Sequence, residues 1–386
     1  MSDKKLRILH FSPHHEDCGI AVYQENYLAG MEGISEVENV FFETSPFETI
    51  GKSSAELQPV LDKLRKELKH YDILHIQHDF SLFSAEFPSI VAAGKAAGKK
   101  VVVSMHASPN FFIKKEKLTG LGPHSVVHFL RQMRFRLKMI KFHITPLMDV
   151  DLVLVHNEAT RQGLERFGVP GNRIQKLAHP VYEIATPPVS TEIAKKLNKQ
   201  KGDIIFCTVG FIHKHKGVFD AVKALKFLPE NYKLAVVGGI HATSDDVGIY
   251  NRLCDTINTL GLRDRVYITG YAKTDEILDG FIRECDACLY PYDRDYYSNV
   301  SSGALSRGFA NDRPIIAYPT ETFKEVAESN HSLVLTDTFA YYELARELQR
   351  IDLAAQAKRS TEYAHKMAWP KMAKELAAIY GELAKS

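Results

Sequence analysis

The chain has 386 residues, 45% hydrophobic and 25% charged, with a formal net charge of +2. This is the balance of a globular protein long enough for two domains with separate cores, and it supplies no overall basic field that would by itself imply nucleic acid. No stretch approaches the roughly eighteen apolar residues of a spanning helix, the opening MSDKKLRILHF lacks a secretory leader, and five scattered cysteines exclude a disulfide framework, so a cytoplasmic location is expected.

Short β-branched runs alternate with helix-length segments along the whole chain. The first run, LRILHFSP, gives way to a loop ending in Cys18-Gly19-Ile20 before a helix. Gly19 would let the backbone approach a ligand closely there, although one glycine in such a turn is a weak signal. YDILHIQH and KKVVVSMHA follow, the second closed by His106 at a carboxyl strand end, where a ligand-facing histidine and a satisfied structural one are both admissible. HFLRQMRFRLKMIKFH, residues 128 to 143, places Arg131, Arg134, Lys138 and Lys141 in one narrow helical stripe beside an apolar face. Such a helix suits an anionic membrane or a polyanion, or it is a solvated edge. DLVLVHN ends this half.

Residues 178 to 203 break the alternation with Pro180, Pro187 and Pro188, after which IIFCTVG, KLAVVGG, RVYITGY, ACLYPY and RPIIAYP restart it. Continuous apolar strands separated by helices mean parallel sheets covered on both faces, an α/β doubly wound pattern occurring twice. After the strand ending at Gly210, a loop with His213, Lys214, His215 and Lys216 leads into a helix near Gly217, an anion site in which Lys216 is placed to neutralise a phosphate. The stretch SNVSSGALSRG offers a second cradle, with Ser301 or Ser302 capping a helix and the amides of Ser302, Gly303 and Ala304 pointing outward. Two cradles in one domain suit a diphosphate. The terminal segment WPKMAKELAAIYGELAKS reads as a helix with Met372, Leu376, Ile379 and Leu383 on one face.

Metal chemistry is not expected. His14, His15 and Glu16 are adjacent and do not easily face one ion, and His124 and His128 have helical spacing without the glutamate of a zinc protease motif. Cys285-x-x-Cys288 lies inside a strand-like run and reads as core. Asp293-Arg294-Asp295 reads as a surface loop rather than a metal-chelating acidic pair.

Taken in order and spacing, Gly19, DILHIQHDF, His106, DLVLVHNEATRQGLERFGV, VGFIHKHKG, VYITGYAKTDEIL, ECDACLYPY and the Trp369 helix resemble the family 4 glycosyltransferases of GT-B fold over essentially the whole chain. The resemblance implies two Rossmann-like domains with parallel sheets facing across a cleft: an acceptor-binding domain over 1–183, a linker over 184–202, a nucleotide-sugar-binding domain over 203–365, and a helix over 366–386 crossing back. It implies retaining transfer of a sugar from a nucleotide diphosphate sugar, UDP- or GDP-linked, to a glycan, lipid-linked or other acceptor, with no cofactor. Lys216 matches the family's diphosphate lysine, Gly19 the turn beside the donor phosphate, and His106 the histidine near the transferred sugar. Tyr271 and Ala272 fall where the family holds the base.

Three positions depart from the family. Asn299 and Arg307 stand where it carries two glutamates, and Phe211 where it carries a basic residue. The expected site is therefore His106, Lys216 and Asn299 for the sugar and the chemistry, with Gly19, Phe211, Tyr271, Ala272, Ser301, Ser302, Gly303, Ala304 and Arg307 around the donor. Asp295 is a candidate substitute carboxylate, and Arg307 a candidate for an altered nucleotide or an extra anionic group. A non-catalytic nucleotide-sugar-binding partner, a transferase acting on an anionic polymer such as DNA, and a sugar-nucleotide epimerase are the alternatives. The basic stripe would place the protein on the cytoplasmic face of a membrane.

Overall fold

The computed structural model describes residues 5–15, 18–109, 123–184, 192–240, 247–294, 302–329 and 331–385. These form two compact units. The first runs to His179 and regains the terminal helix from Trp369; the second spans the described residues from Pro180 to Ala368.

In the first unit, strands β1 (Leu6–Phe11), β2 (Val37–Phe41), β3 (Ile73–His78), β4 (Lys100–Met105), β5 (Leu152–Val155) and β6 (Ile174–Lys176) make a parallel sheet ordered β2-β1-β3-β4-β5-β6. Alternation along these strands divides the sheet into two unlike faces. Leu9, Phe11, Leu74, Ile76, Val101, Val103 and Met105 join the buried apolar cluster with Leu57, Leu61 and Leu64 of the helix Ser54–Leu68 and Ile90 of the helix Phe87–Ala96. The register sets His10 beside His75 and Gln77 beside Ser104 on the other face. There the helix Gly19–Met31 and the terminal helix Trp369–Lys385 bring their own polar groups. His10 lies between Gln24 and Asn39 at 2.9 and 2.8 Å, and His75 Nδ1 is 2.5 Å from the Tyr380 hydroxyl. The two helices touch closely at Gly30, where a Cβ would meet Ala373 and the Trp369 carbonyl at 3.3 Å.

In the second unit, β7 (Ile204–Val209), β8 (Tyr232–Val237), β9 (Val266–Gly270), β10 (Ala287–Tyr290), β11 (Ile315–Ala317) and β12 (Val334–Leu335) are again parallel, ordered β12-β11-β10-β7-β8-β9. Strand order reverses between β7 and β10, the position at which doubly wound sheets bind ligands beyond their carboxyl ends. Phe206, Val222, Leu234, Val236, Leu253, Leu289, Ile316 and Leu344 form its core. Cys285 and Cys288 are buried in it, and Cys207 and Cys288 are 3.5 Å apart across β7 and β10. Neighbouring thiols and burial push Cys207 and Cys288 well above the usual thiol range, so both remain protonated core groups.

Nine strands coincide with runs read from the sequence. The three that do not, β2, β6 and β12, all lie at sheet edges, where a strand needs neither length nor two apolar faces.

The buried histidines of the first unit have a pH consequence. Burial holds His10 and His143 down to about 4 and His156 to about 3, and holds His75 and His78 well below the usual range. A histidine whose folded value lies below its unfolded value of about 6.5 stabilises fully above that pH, and the contribution is lost as pH falls toward the folded value. Stability is therefore expected to be level above about pH 7 and to drop between about 6.5 and 4, by up to about 1.4 kcal/mol per pH unit for each histidine. Urea midpoints across this range check the expectation; a midpoint that does not move would contradict it.

Candidate functional site

At the strand reversal of the second unit the backbones approach so closely that two positions admit no side chain. A Cβ on Gly217 (φ +69°) would lie 1.7 Å from the Pro291 carbonyl oxygen, and one on Gly238 (φ +148°) 2.0 Å from that of Gly210. Gly217 ends the short 3-10 turn Lys214–Lys216 and opens the helix Val218–Ala224. The turn delivers Lys216 to Tyr292, just beyond β10: its Nζ donates to the Tyr292 hydroxyl at 2.8 Å and stands 4.3 Å from the ring centroid.

Tyr292 continues the connection. Its hydroxyl is 3.0 Å from Ser302 Oγ, which caps the helix Gly303–Ala310 by accepting the Leu305 amide proton at 3.2 Å. The lysine turn and the serine cap, read from the sequence as separate anion cradles, are thus joined through one buried phenol. Burial pushes the Tyr292 hydroxyl far up, so it stays protonated and can accept from Lys216 while donating to Ser302. Gly303 and Ala304 occupy the first helical positions, where amides precede the intrahelical ladder. A pocket lined by Val209, Gly210, Phe211, Lys216, Val236 and Tyr292 opens here.

Phe211 follows β7 by two residues and Tyr271 follows β9 directly. Their rings stack with centroids 5.9 Å apart and planes 10° from parallel, and the residues are 40% and 62% exposed. This much exposed aromatic surface at carboxyl strand ends is a platform on which a planar group can lie. Ala272 is the next residue, half-buried.

Arg307 is engaged elsewhere. Its guanidinium reaches Asp275 at 2.7 Å and Asp279 at 3.1 Å, both on the helix Asp275–Arg283, and covers the Tyr182 ring at 4.8 Å. Burial disfavours its charge, but the two carboxylates outweigh that and raise its pKa. A cation already neutralised twice offers an incoming anion little, and its evident effect is to tie two helices together. Asp295, Asn299 and Ser301 lie outside the described residues.

In the first unit, His106 follows β4 at the end of a hydrogen-bonded line. His106 Nε2 is 2.7 Å from Gln77 Oε1, Gln77 Nε2 is 3.2 Å from His75 Nε2, and His75 Nδ1 meets Tyr380 of the terminal helix, with Ser104 Oγ 2.8 Å from His75 Nε2. Burial, with His156 and His179 nearby, keeps His106 well below the usual range and hence neutral. The Tyr23 ring lies edge-on at 4.8 Å. Gly19 begins the helix that carries Tyr23, and among the described residues a Cβ there would have no neighbour within 4 Å. Tyr292, Gln77 and Tyr380 were absent from the sequence-derived candidates. The only local signal for Tyr292 is an aromatic residue just past a strand end. Among the described residues no group of three or more His, Cys, Asp or Glu is placed to hold a metal ion.

Two substitutions separate ligand contact from folding. Gly19→Ala removes an open-space glycine from a helix, so stability is expected to be unchanged or to rise by about 0.5–1 kcal/mol, while any activity that needs close backbone approach falls. Reduced stability with full activity would remove Gly19 from the site. Tyr292→Phe is expected to retain the fold but to weaken binding of an anion such as inorganic pyrophosphate at these helix ends about tenfold, because it unlinks Lys216 from Ser302; calorimetric titration reads this, and unchanged affinity would contradict the linkage.

By sequence the chain has no significant match among curated proteins. In three dimensions it is similar to Anabaena Alr3699/HepE in complex with UDP, with 15% identity, 98% of this chain and 100% of that chain covered, and a TM-score of 0.70. It is also similar to sucrose-phosphate synthase from Thermosynechococcus elongatus, with 17% identity, 99% and 100% coverage and a TM-score of 0.68. A glycosyltransferase from Rickettsia africae ESF-5 matches with 13% identity, 99% of both chains and a TM-score of 0.67. Residues 189–367, the stretch that contains the Lys216–Tyr292–Ser302 connection, match the family described as Glycosyl transferases group 1. The second unit is thus similar to the group 1 glycosyl transferases, and the chain has the GT-B fold.

Proposed function

We propose that the chain moves a sugar from a nucleoside diphosphate sugar to an acceptor hydroxyl with retention at the anomeric carbon, in the synthesis of a glycan or glycoconjugate, and that the donor nucleotide is UDP. The observation that carries this reading is the connection from Lys216 through Tyr292 to Ser302 at the strand reversal of the second unit. It joins a cation to a capped helix N-terminus at the carboxyl ends of β7 and β10, and with the exposed aromatic pair Phe211 and Tyr271 after β7 and β9 it supplies the groups that a diphosphate with an attached base requires. The structures of HepE with UDP and with UDP-glucose support the choice of nucleotide.

In this reading the bond from the anomeric carbon to the diphosphate oxygen breaks as the acceptor oxygen bonds to that carbon on the same face, and the acceptor proton passes to the departing phosphate oxygen. No side chain becomes covalently attached. The protein's work is to position the partners and to stabilise the charge that develops on the leaving group. Lys216, Ser301, Ser302 and the amides of Gly303 and Ala304 serve the diphosphate, with no divalent ion required. Phe211 and Tyr271 take the base by stacking, beside Ala272. Gly19 admits the donor phosphate, His106 orients the sugar and Asn299 binds its hydroxyls. Arg307 is assigned to holding its helix in place through Asp275 and Asp279.

Removal of a positioned charge-stabilising donor costs on the order of 10²–10³ in turnover. Lys216→Ala is expected to lose that much with a UDP-sugar donor, and the wild-type rate is expected to survive EDTA. NMR of the product should show the donor's anomeric configuration. Near-normal turnover in Lys216→Ala would remove the diphosphate assignment, and an inverted product would remove retention.

A further inference from the structure

The helix Pro123–Met139 carries a surface that the transfer reading leaves unused. Val127, Leu130, Met133, Phe135 and Leu137 are 42–59% exposed and make up five of the twelve exposed large apolar side chains among the described residues. Leu130, Met133 and Leu137, at three- and four-residue spacing, form one stripe of the helix. Arg131, Arg134 and Lys138 repeat the same spacing one position on and form the adjoining stripe, which Lys141 continues, and all four are exposed. From Pro123 to Met148 the sequence holds five lysines and arginines and no aspartate or glutamate. The helix is anchored at its far end, where it passes into the turn Ile140–Ile144 with His143 and Ile144 buried. Among the described residues no helix is long and apolar enough to cross a membrane.

The two stripes together select the partner. A polyanion would use the cations but leave the leucines, methionine and phenylalanine in water, whereas a purely apolar groove would leave the cations unpaired. A bilayer satisfies both: leucine-type side chains enter the acyl boundary while the long arginine and lysine stems carry their charges back to phosphate. We propose that this helix docks the first unit on an anionic phospholipid bilayer, lying in the plane of the interface with Leu130, Met133 and Leu137 inserted and Arg131, Arg134, Lys138 and Lys141 on the headgroups. This assignment is independent of the donor site.

Co-sedimentation of the full chain with vesicles tests it, using phosphatidylcholine alone and phosphatidylcholine with about a third phosphatidylglycerol. Binding is expected to the anionic vesicles and to weaken with salt. Leu130→Ser with Leu137→Ser, and separately Arg131→Ser with Arg134→Ser, should each lower vesicle binding by roughly tenfold or more. These side chains are exposed, so circular dichroism and the melting temperature are expected to stay at wild-type values. Absence of wild-type binding to anionic vesicles overturns the proposal. So does vesicle binding that the leucine pair does not affect and heparin abolishes, which would mark the stripe as a polyanion surface.

Discussion

The site in the second unit depends on how closely three backbones meet at the carboxyl edge of its sheet. With a Cβ at 217 only 1.7 Å from the Pro291 carbonyl, the turn after β7 and the segment after β10 could not lie where they do. That approach seats Lys216 against Tyr292, and through Tyr292 against the serine cap of the following helix. Neither contact could form if the loops stood apart by the width of one methyl group. Glycines here act as spacers whose value lies in what they let neighbouring side chains reach.

The first unit solves a different problem with the same architecture. One face of its sheet is an ordinary apolar core. The other is covered by two helices over buried histidines, which costs solvation unless each imidazole is neutral and hydrogen-bonded. Most of that requirement is met by sharing: His75 serves Ser104, Gln77 and Tyr380 at once, and Gln77 passes the connection to His106. The terminal helix therefore sets the surroundings of a strand-end histidine with which it makes no direct hydrogen bond in this line. The deep lowering of these imidazoles follows from the same burial that fixes their geometry.

Much of this architecture is legible in the sequence, for reasons that also mark the limit. Interior strands of a doubly covered parallel sheet are buried on both faces and rich in β-branched and apolar residues, so all eight of them stand out, as does the edge strand β9, whereas β2 (VENVF), β6 (IQK) and β12 (VL) are edge strands under no such demand. Lys216 and Ser302 are legible because a lysine before a glycine-led helix and a serine at an N-cap are local signals. Tyr292 and Tyr380 are not, because their roles come from contacts across 76 and 305 residues. Arg307 shows the converse. Its charge is visible in the sequence, but its meaning depends on Asp275 and Asp279, brought to it from a neighbouring helix by folding.

In the proposed function the Lys216–Tyr292–Ser302 connection binds a nucleoside diphosphate. The most direct measurement is a thermal-shift panel of UDP, GDP, ADP, CDP and TDP in EDTA, on the wild-type chain and on Lys216→Ala. At about a hundred times its dissociation constant a ligand stabilises by roughly 2.7 kcal/mol. Such a shift is expected for UDP with the wild type and is expected to be lost in Lys216→Ala. No shift with any diphosphate, or an equal UDP shift in both proteins, would contradict this proposal.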